Sequence, residues 1–242
     1  MTLQIGISPR KIALVLGAVS VFLAVLSITA KVIEWNAGVN NTYWLFHAVE
    51  LVNMNRESNI PTWYTTLLLA TCALLVFTVT VAVRARHGRM MFHWGLLSAI
   101  FVYLSIDEAA AIHERLSTPL EDSLGLSGYL TFGWIVAGII FVVVVGLIYL
   151  PFLLHLPART RWLFVLAAVL YVGGAIGVES VSANQWSIDE GTSLRYSAIG
   201  TVEEFLEMLG AVVFIYALLD HLSALVTEVQ FRLPVKEVVG ID

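Results

Sequence analysis

The sequence predicts an all-α polytopic membrane protein: a six-transmembrane-helix bundle with a short interfacial element between the first and second helices. Composition is the first reason. Of 242 residues, 59% are hydrophobic and 13% charged, and the mean hydropathy is +0.86, whereas a soluble domain carries about 25% charged and 45–50% apolar residues. The excess apolar mass needs a non-aqueous solvent. The second reason is spacing: about 20 helical residues cross roughly 30 Å of hydrocarbon, and apolar runs of that order occur at 11–33, 62–83, 90–112, 127–154, 161–183 and 196–222. The third is the placement of the basic residues.

Lys and Arg divide by loop in the way that positive-inside topology demands. One set of helix ends holds Arg10, Lys11, Arg84, Arg86, Arg89, Arg159, Arg161, Arg232 and Lys236, and the other holds Lys31, Arg56, Arg115 and Arg195. Both termini are then expected in the cytoplasm, with 34–61, 113–126 and 184–195 facing outward. Compact loops suit a bacterial-type cytoplasmic membrane. The first helix follows Arg10 and Lys11 as a signal peptide would, but its apolar run exceeds the usual 7–15 residues, so it reads as an uncleaved anchor.

The inner connections at 84–89 and 155–160 only link helices. The first outer segment is longer and carries Trp35, Tyr43, Trp44 and Trp63 at its flanks, the pattern of an element anchored at the membrane interface by aromatic rings. A short helix is expected within Tyr43–Asn55, ended before Pro61. Residues 1–226 form a single transmembrane domain, and 227–242 form a tail too short to fold alone. The fourth helix, 127–154, has no charged residue and is expected to face lipid. In the fifth, Gly173 and Gly177 form a small-xxx-small pair suited to close helix packing.

The net charge of −5 and the scattered basic residues exclude a nucleic-acid-binding face. A single cysteine, Cys72, excludes an intrachain disulfide and a Cys-based metal site. Phosphate-binding Gly-rich loops, nucleophile elbows and His-Glu-x-x-His are absent from the sequence, and six histidines cannot supply the pattern of membrane desaturases.

The chemistry lies in acidic residues placed where hydrocarbon should forbid them. Glu108 is 18 residues beyond Met90, Glu179 is 18 beyond Arg161, and Glu203 is 18 before His221. All three therefore sit about 27 Å from the inner face at 1.5 Å per residue. Asp107, Glu204 and Glu207 accompany them. An ionised carboxylate in hydrocarbon costs a few kcal/mol on insertion scales, so these groups are expected to face one another and to require protons, cations or basic partners. The basic groups at that level are Lys31, His47, His113, Arg115 and Arg195.

Spacing refines the set. Glu203 and Glu207 share a helix face at i and i+4, while Glu204 points about 100° away. Asp107 and Glu114 share a face of the third helix at i and i+7, with His113 beside them. His47 and Glu50, three apart, project together from the interfacial element and could cap the site. Glu114, Glu121, Asp122, Asp189 and Glu190 fall in outer loops and read as solvated surface charge. The expected metal-ligand set is thus Glu108, His113, Glu179, Glu203 and Glu207, with His47, Glu50, Asp107 and Glu204 as further candidates.

This inventory resembles, in residue types only, that of di-iron helical bundles, in which four glutamates and two histidines project inward. Those proteins use two Glu-x-x-His pairs; this chain has none. Carboxylates with one or two imidazoles suit a divalent Fe, Mn or Zn ion, which implies a metal-dependent enzyme acting on a lipophilic small molecule in the bilayer. Two other functions fit the same residues. One is a cation- or proton-coupled transporter or channel, though the acids gather near one face and no inverted repeat is visible. The other is a non-catalytic accessory or sensor subunit whose acidic outer face docks a partner subunit or responds to external cations, a role compatible with an oligomer.

Overall fold

A computed structural model describes residues 8–37, 43–86 and 88–226. The predicted tail at 227–242, including Arg232 and Lys236, lies outside the described residues, as do His87 and the side chains of Tyr43 and Trp44. The described chain is helical, in the order α1 (Pro9–Ala37), α2 (Tyr43–Glu50), α3 (Ile60–Ala85), α4 (Met91–Ala110), α5 (Ile112–Leu124), a 3₁₀ turn (Gly128–Leu130), α6 (Trp134–His155), α7 (Ala158–Val172), a π-helical stretch (Gly173–Val178), α8 (Glu179–Asp189) and α9 (Leu194–Leu225). No strand occurs among the described residues.

Five helical stretches are long and apolar enough to cross a membrane: α1, α3, α6, the run from Ala158 to Asp189, and α9. The α4–α5 pair makes a sixth if its two parts are counted together, but they bend by 78°. Large apolar side chains cover the outside, among them Phe22 at 62% exposed, Leu74 at 68%, Leu147 at 69% and Trp162 at 68%. Such a surface belongs in lipid, where apolar exposure carries no penalty. The chain is therefore a multi-pass membrane protein in class.

Hydroxyl groups within the helices obey the same logic. Ser20, Thr65, Thr71 and Thr78 each donate to the carbonyl four residues earlier, which satisfies them without water. The single cysteine, Cys72, is fully buried and its thiol donates to the Ala211 carbonyl at 3.7 Å.

α9 is the hub, with α1, α3 and α7 packed around it. Small residues along it permit this: Ser197, Gly200, Thr201, Gly210, Ala211 and Ala217 are buried. A Cβ on Gly210 would lie 2.7 Å from the Tyr171 nitrogen and 2.9 Å from the Ala167 carbonyl oxygen, so α7 crosses α9 backbone to backbone there. α6 buries only Ile135, Tyr149 and Phe152 and lies at the periphery, its uncharged surface turned to the lipid side.

The structure revises two local expectations. Gly173 and Gly177 have no neighbour within 4 Å of a would-be Cβ; Gly174 makes the close approach instead, 2.8 Å from the Glu203 carbonyl oxygen. The π-helical stretch, which the periodicity of an ideal helix does not anticipate, alters the register just before Glu179. The third span, expected to run to residue 112, ends at Ala111, which adopts the left-handed conformation (φ 48°, ψ 49°). Asp107 and Glu114 therefore do not share a helical face. The left-handed conformation costs an L-residue roughly 1–2 kcal/mol, so Ala111→Gly is expected to raise stability by up to about 1 kcal/mol, read as a higher unfolding midpoint in detergent.

Candidate functional site

The break at Ala111 creates the first half of the site. It strands the backbone N–H of His113 at the start of α5, and Asp107, on the last turn of α4, accepts it at 3.0 Å through Oδ1. The other oxygen of Asp107 meets His113 Nδ1 at 2.8 Å. The imidazole is thereby held by a carboxylate at one nitrogen, leaving Nε2 for another partner. This is the arrangement that orients a metal-binding histidine and raises its basicity.

The second half is a loop. Asn59 caps α3 by accepting from the Thr62 N–H, and its amide donates to the carbonyls of Glu50, Asn53 and Arg56 at 3.3, 2.6 and 2.7 Å. The chain between α2 and α3 is thus wrapped around one side chain. Asn55 fastens the loop to the hub by donating to the Tyr196 carbonyl at 3.2 Å, packed so closely on Gly200 that no Cβ fits there. Glu57 is carried inward by this loop.

Between loop, α5, α8 and α9 lies a cavity of about 360 Å³ whose wall includes Glu57, Glu114, Glu121, Glu179, Glu203 and Glu204, with His113 beside them and no Lys or Arg. Oxygens of Glu203, Glu204 and Glu207 come within 4.8 Å of one another, and ligand atoms of Glu57, His113 and Glu114 form a second such group. Glu207 lies deeper, at 8% exposed, as does Glu108 at 8%, which is within charge range of Glu204 and Glu207. Glu179, at 9% exposed, accepts from the Trp134 indole at 2.9 Å, and the Trp134 and His113 rings stand 4.8 Å apart. Two further buried oxygens on this wall, Glu57 Oε2 and Asn55 Oδ1, have no hydrogen-bond partner.

Glu108, His113, Glu179, Glu203, Glu204 and Glu207 are thus brought together, and Asp107 stands behind His113. Glu204 joins the group although it lies 100° off the Glu203–Glu207 stripe, because it is also three residues from Glu207 and so adjacent on the surface of α9. His47 is exposed on α2, and Glu50 turns to Arg56 at 3.3 Å and to Asn53 at 3.4 Å; neither reaches the cavity wall. Lys31 is paired with Glu34 at 2.7 Å. Arg115 and Arg195 do not line the cavity, so six carboxylates share it with one imidazole.

Sequence spacing did not single out Glu57, Asn55, Trp134 or the half-buried Tyr171, whose phenol faces Glu207. Glu114 and Glu121, expected as free surface charge, stand on the cavity wall. A signal for the loop was present: Asn53, Asn55 and Asn59 within seven residues mark a built turn more than a linker.

Burial, followed by the charge of Glu114, pushes Glu57 from its ordinary 4.5 up to about 7. Between those pH values the folded, cation-free protein keeps a proton that the unfolded chain has lost, so its stability falls as pH rises from about 4.5 to 7 and levels off above. Glu57→Gln is expected to remove up to about 3 kcal/mol of that decline, measured as unfolding midpoints across pH in the presence of chelator.

Fold and cavity together define a class, a multi-pass helical membrane protein with a carboxylate- and imidazole-lined cavity at one end of the bundle. The chain belongs to the family described as a domain of unknown function, DUF8692, whose model matches residues 12–222. No curated protein and no solved structure matches it.

Proposed function

We propose that the cavity is a divalent-metal site and that the protein is a metal-dependent membrane enzyme acting on a lipophilic substrate. The observation that carries this reading is the convergence of six carboxylates, from exposed Glu114 to buried Glu179, on one cavity wall with no Lys or Arg. A group of like charges in low dielectric demands a cation or shared protons. His113 adds to this reading, because an imidazole held at Nδ1 by a carboxylate is the form in which histidine ligates through Nε2.

Glu203, Glu204 and Glu207 would hold the ion from α9, and Glu57, His113 and Glu114 would hold it, or a second one, from the opposite wall. Fe, Mn or Zn suits such an oxygen-rich set with one imidazole, and would supply Lewis-acid polarisation and an activated water. Glu108 and Tyr171 then adjust the charge and proton inventory behind Glu207. Enzyme is favoured over transporter by what lies beneath the cavity: Met208, Phe214, Ile215 and Leu218 are buried, and Phe214 stacks on Phe101 and packs at a tilt against Phe164, filling the bundle where a pathway would need polar groups. In the proposed orientation both termini are cytoplasmic and the cavity opens on the outer side of a bacterial-type membrane.

The test is elemental analysis of protein purified in mild detergent without chelator. Stoichiometric Fe, Mn or Zn is expected, removable by chelator and restored by the same ion. Metal-free protein that also fails to take up any of the three would overturn the reading. Asp107→Asn, which keeps shape but loses the charge behind His113, is expected to weaken the measured metal affinity about 10–100-fold.

A further inference from the structure

At the opposite end of the bundle, α3 and α4 run side by side, held by Ser98 donating to the Ala73 carbonyl at 3.0 Å and Ser105 to the Thr66 carbonyl at 3.0 Å. Where they meet their connecting turn, the pair opens into a groove of about 390 Å³. One wall is Phe77, Val81 and Arg84, spaced along a single stripe of α3, and the other is Met91, Phe92 and Leu96 of α4. The floor is Gly95: a Cβ there would meet only the Thr80 methyl, at 3.9 Å. The Thr80 hydroxyl is spent on the Val76 carbonyl at 2.8 Å, so the groove presents hydrocarbon along its length and a guanidinium at its mouth.

The mouth is strongly and uniformly basic. Arg84, Arg86 and Arg89 lie within six residues, and no acidic residue occurs between Ser58 and Ile106. Among the described residues none of the three arginines forms an ion pair, whereas Arg159 on α7 is neutralised by Asp220 at 2.9 Å. Phe77 and Phe92 are 58% and 72% exposed, so no part of the described protein covers the groove. An apolar slot ending in unpaired arginines at the edge of a bilayer is complementary to one class of molecule, a lipid with a negatively charged headgroup.

We propose that this groove is a binding site for an anionic phospholipid, with one acyl chain between α3 and α4 and the phosphate against Arg84. The site is independent of the acidic cavity. Gly95 is what makes room for the chain. Arg86 and Arg89 strengthen the field at the headgroup.

Full-length protein, delipidated in mild detergent, is titrated with dioleoyl-phosphatidylglycerol or dioleoyl-phosphatidylcholine and bound lipid is counted by native mass spectrometry. Phosphatidylglycerol is expected to bind preferentially, and Arg84→Gln to weaken it about fivefold, the effect of one arginine near an anionic surface, with phosphatidylcholine unaffected. Gly95→Leu fills the slot and should weaken both lipids, while Gly95→Ala, whose added carbon finds ordinary contact, should bind as wild type. Arg84 is exposed on the surface, so its replacement reads the site even where Gly95→Leu does not fold. Equal binding of the two lipids would overturn the proposal. So would displacement by excess glycerol phosphate, which would mean an anion site without a chain, or a lipid-free dimer dissociated by Gly95→Leu, which would mean that a second copy covers the groove.

Discussion

Protein carrying Glu203→Gln and Glu207→Gln together is expected to retain no metal through purification and yet to stay fully helical. The two carboxylates present oxygens within 4.8 Å of each other and of Glu204, so amides in their place remove two anionic ligands from one group. The loss of affinity should exceed about 10²-fold, since an outer-shell partner by itself is worth 10–100-fold. Stability should move the opposite way. Glu207 is buried among Glu203, Glu204 and Glu108, and an amide there relieves the repulsion of like charges in a low-dielectric interior, so the metal-free variant should be at least as stable as wild type. Metal content by elemental analysis, paired with unfolding midpoints in chelator, reads both. Unchanged metal content would remove α9 from the site, and a large fall in metal-free stability would make these glutamates structural supports instead of ligands.

Gly210→Ala is expected to cost about 3 kcal/mol, at the upper end of the usual penalty for an overpacked core, whereas Gly177→Ala should stay within about 0.5 kcal/mol of wild type. The difference is one of backbone. A methyl group on Gly210 would press on the Tyr171 nitrogen and the Ala167 carbonyl oxygen at under 3 Å, and a helix axis must shift to receive it. Gly177 has open space at the same point. Separating α7 from α9 would also draw Tyr171 away from Glu207, so the Gly210 variant should bind metal more weakly than its fold alone explains. Thermal unfolding of the two single variants, followed by metal titration of each, checks both parts. Equal destabilisation by the two would mean that the crossing is looser than its backbone contacts imply.

Much of the architecture was legible because membrane helices announce themselves locally. Hydrocarbon excludes water from about 20 consecutive residues, so each apolar run carries its own evidence. The ends of α3, α6 and α9 accordingly fall within a few residues of the sequence reading, apart from the start of α6, which the 3₁₀ turn at Gly128–Leu130 delays to Trp134. The kink at Ala111 left no such trace. Nothing in three consecutive alanines signals a left-handed residue, and the conformation persists because Asp107 captures the freed N–H and the ring of His113 together. The same holds for the π-helical stretch, where the register changes without any proline.

The site divides along the same line. That Glu108, Glu179, Glu203 and Glu207 sit within apolar runs is legible in the sequence, because a carboxylate in hydrocarbon is conspicuous from composition and spacing. The sequence could not show that Glu57 and Glu114 join them, since both lie in segments where charge costs little. Their membership comes from tertiary packing, which folds the Asn59-centred loop inward and turns α5 by 78° from α4. It also keeps His47 and Glu50 outside, Glu50 held by Arg56. The physical reason is that burial in a helix is a property of consecutive residues, whereas convergence on a cavity depends on how separate elements are turned against one another. Those turns are set by single contacts: Asn55 on Gly200, Asp107 on His113 and Gly174 on the backbone of Glu203.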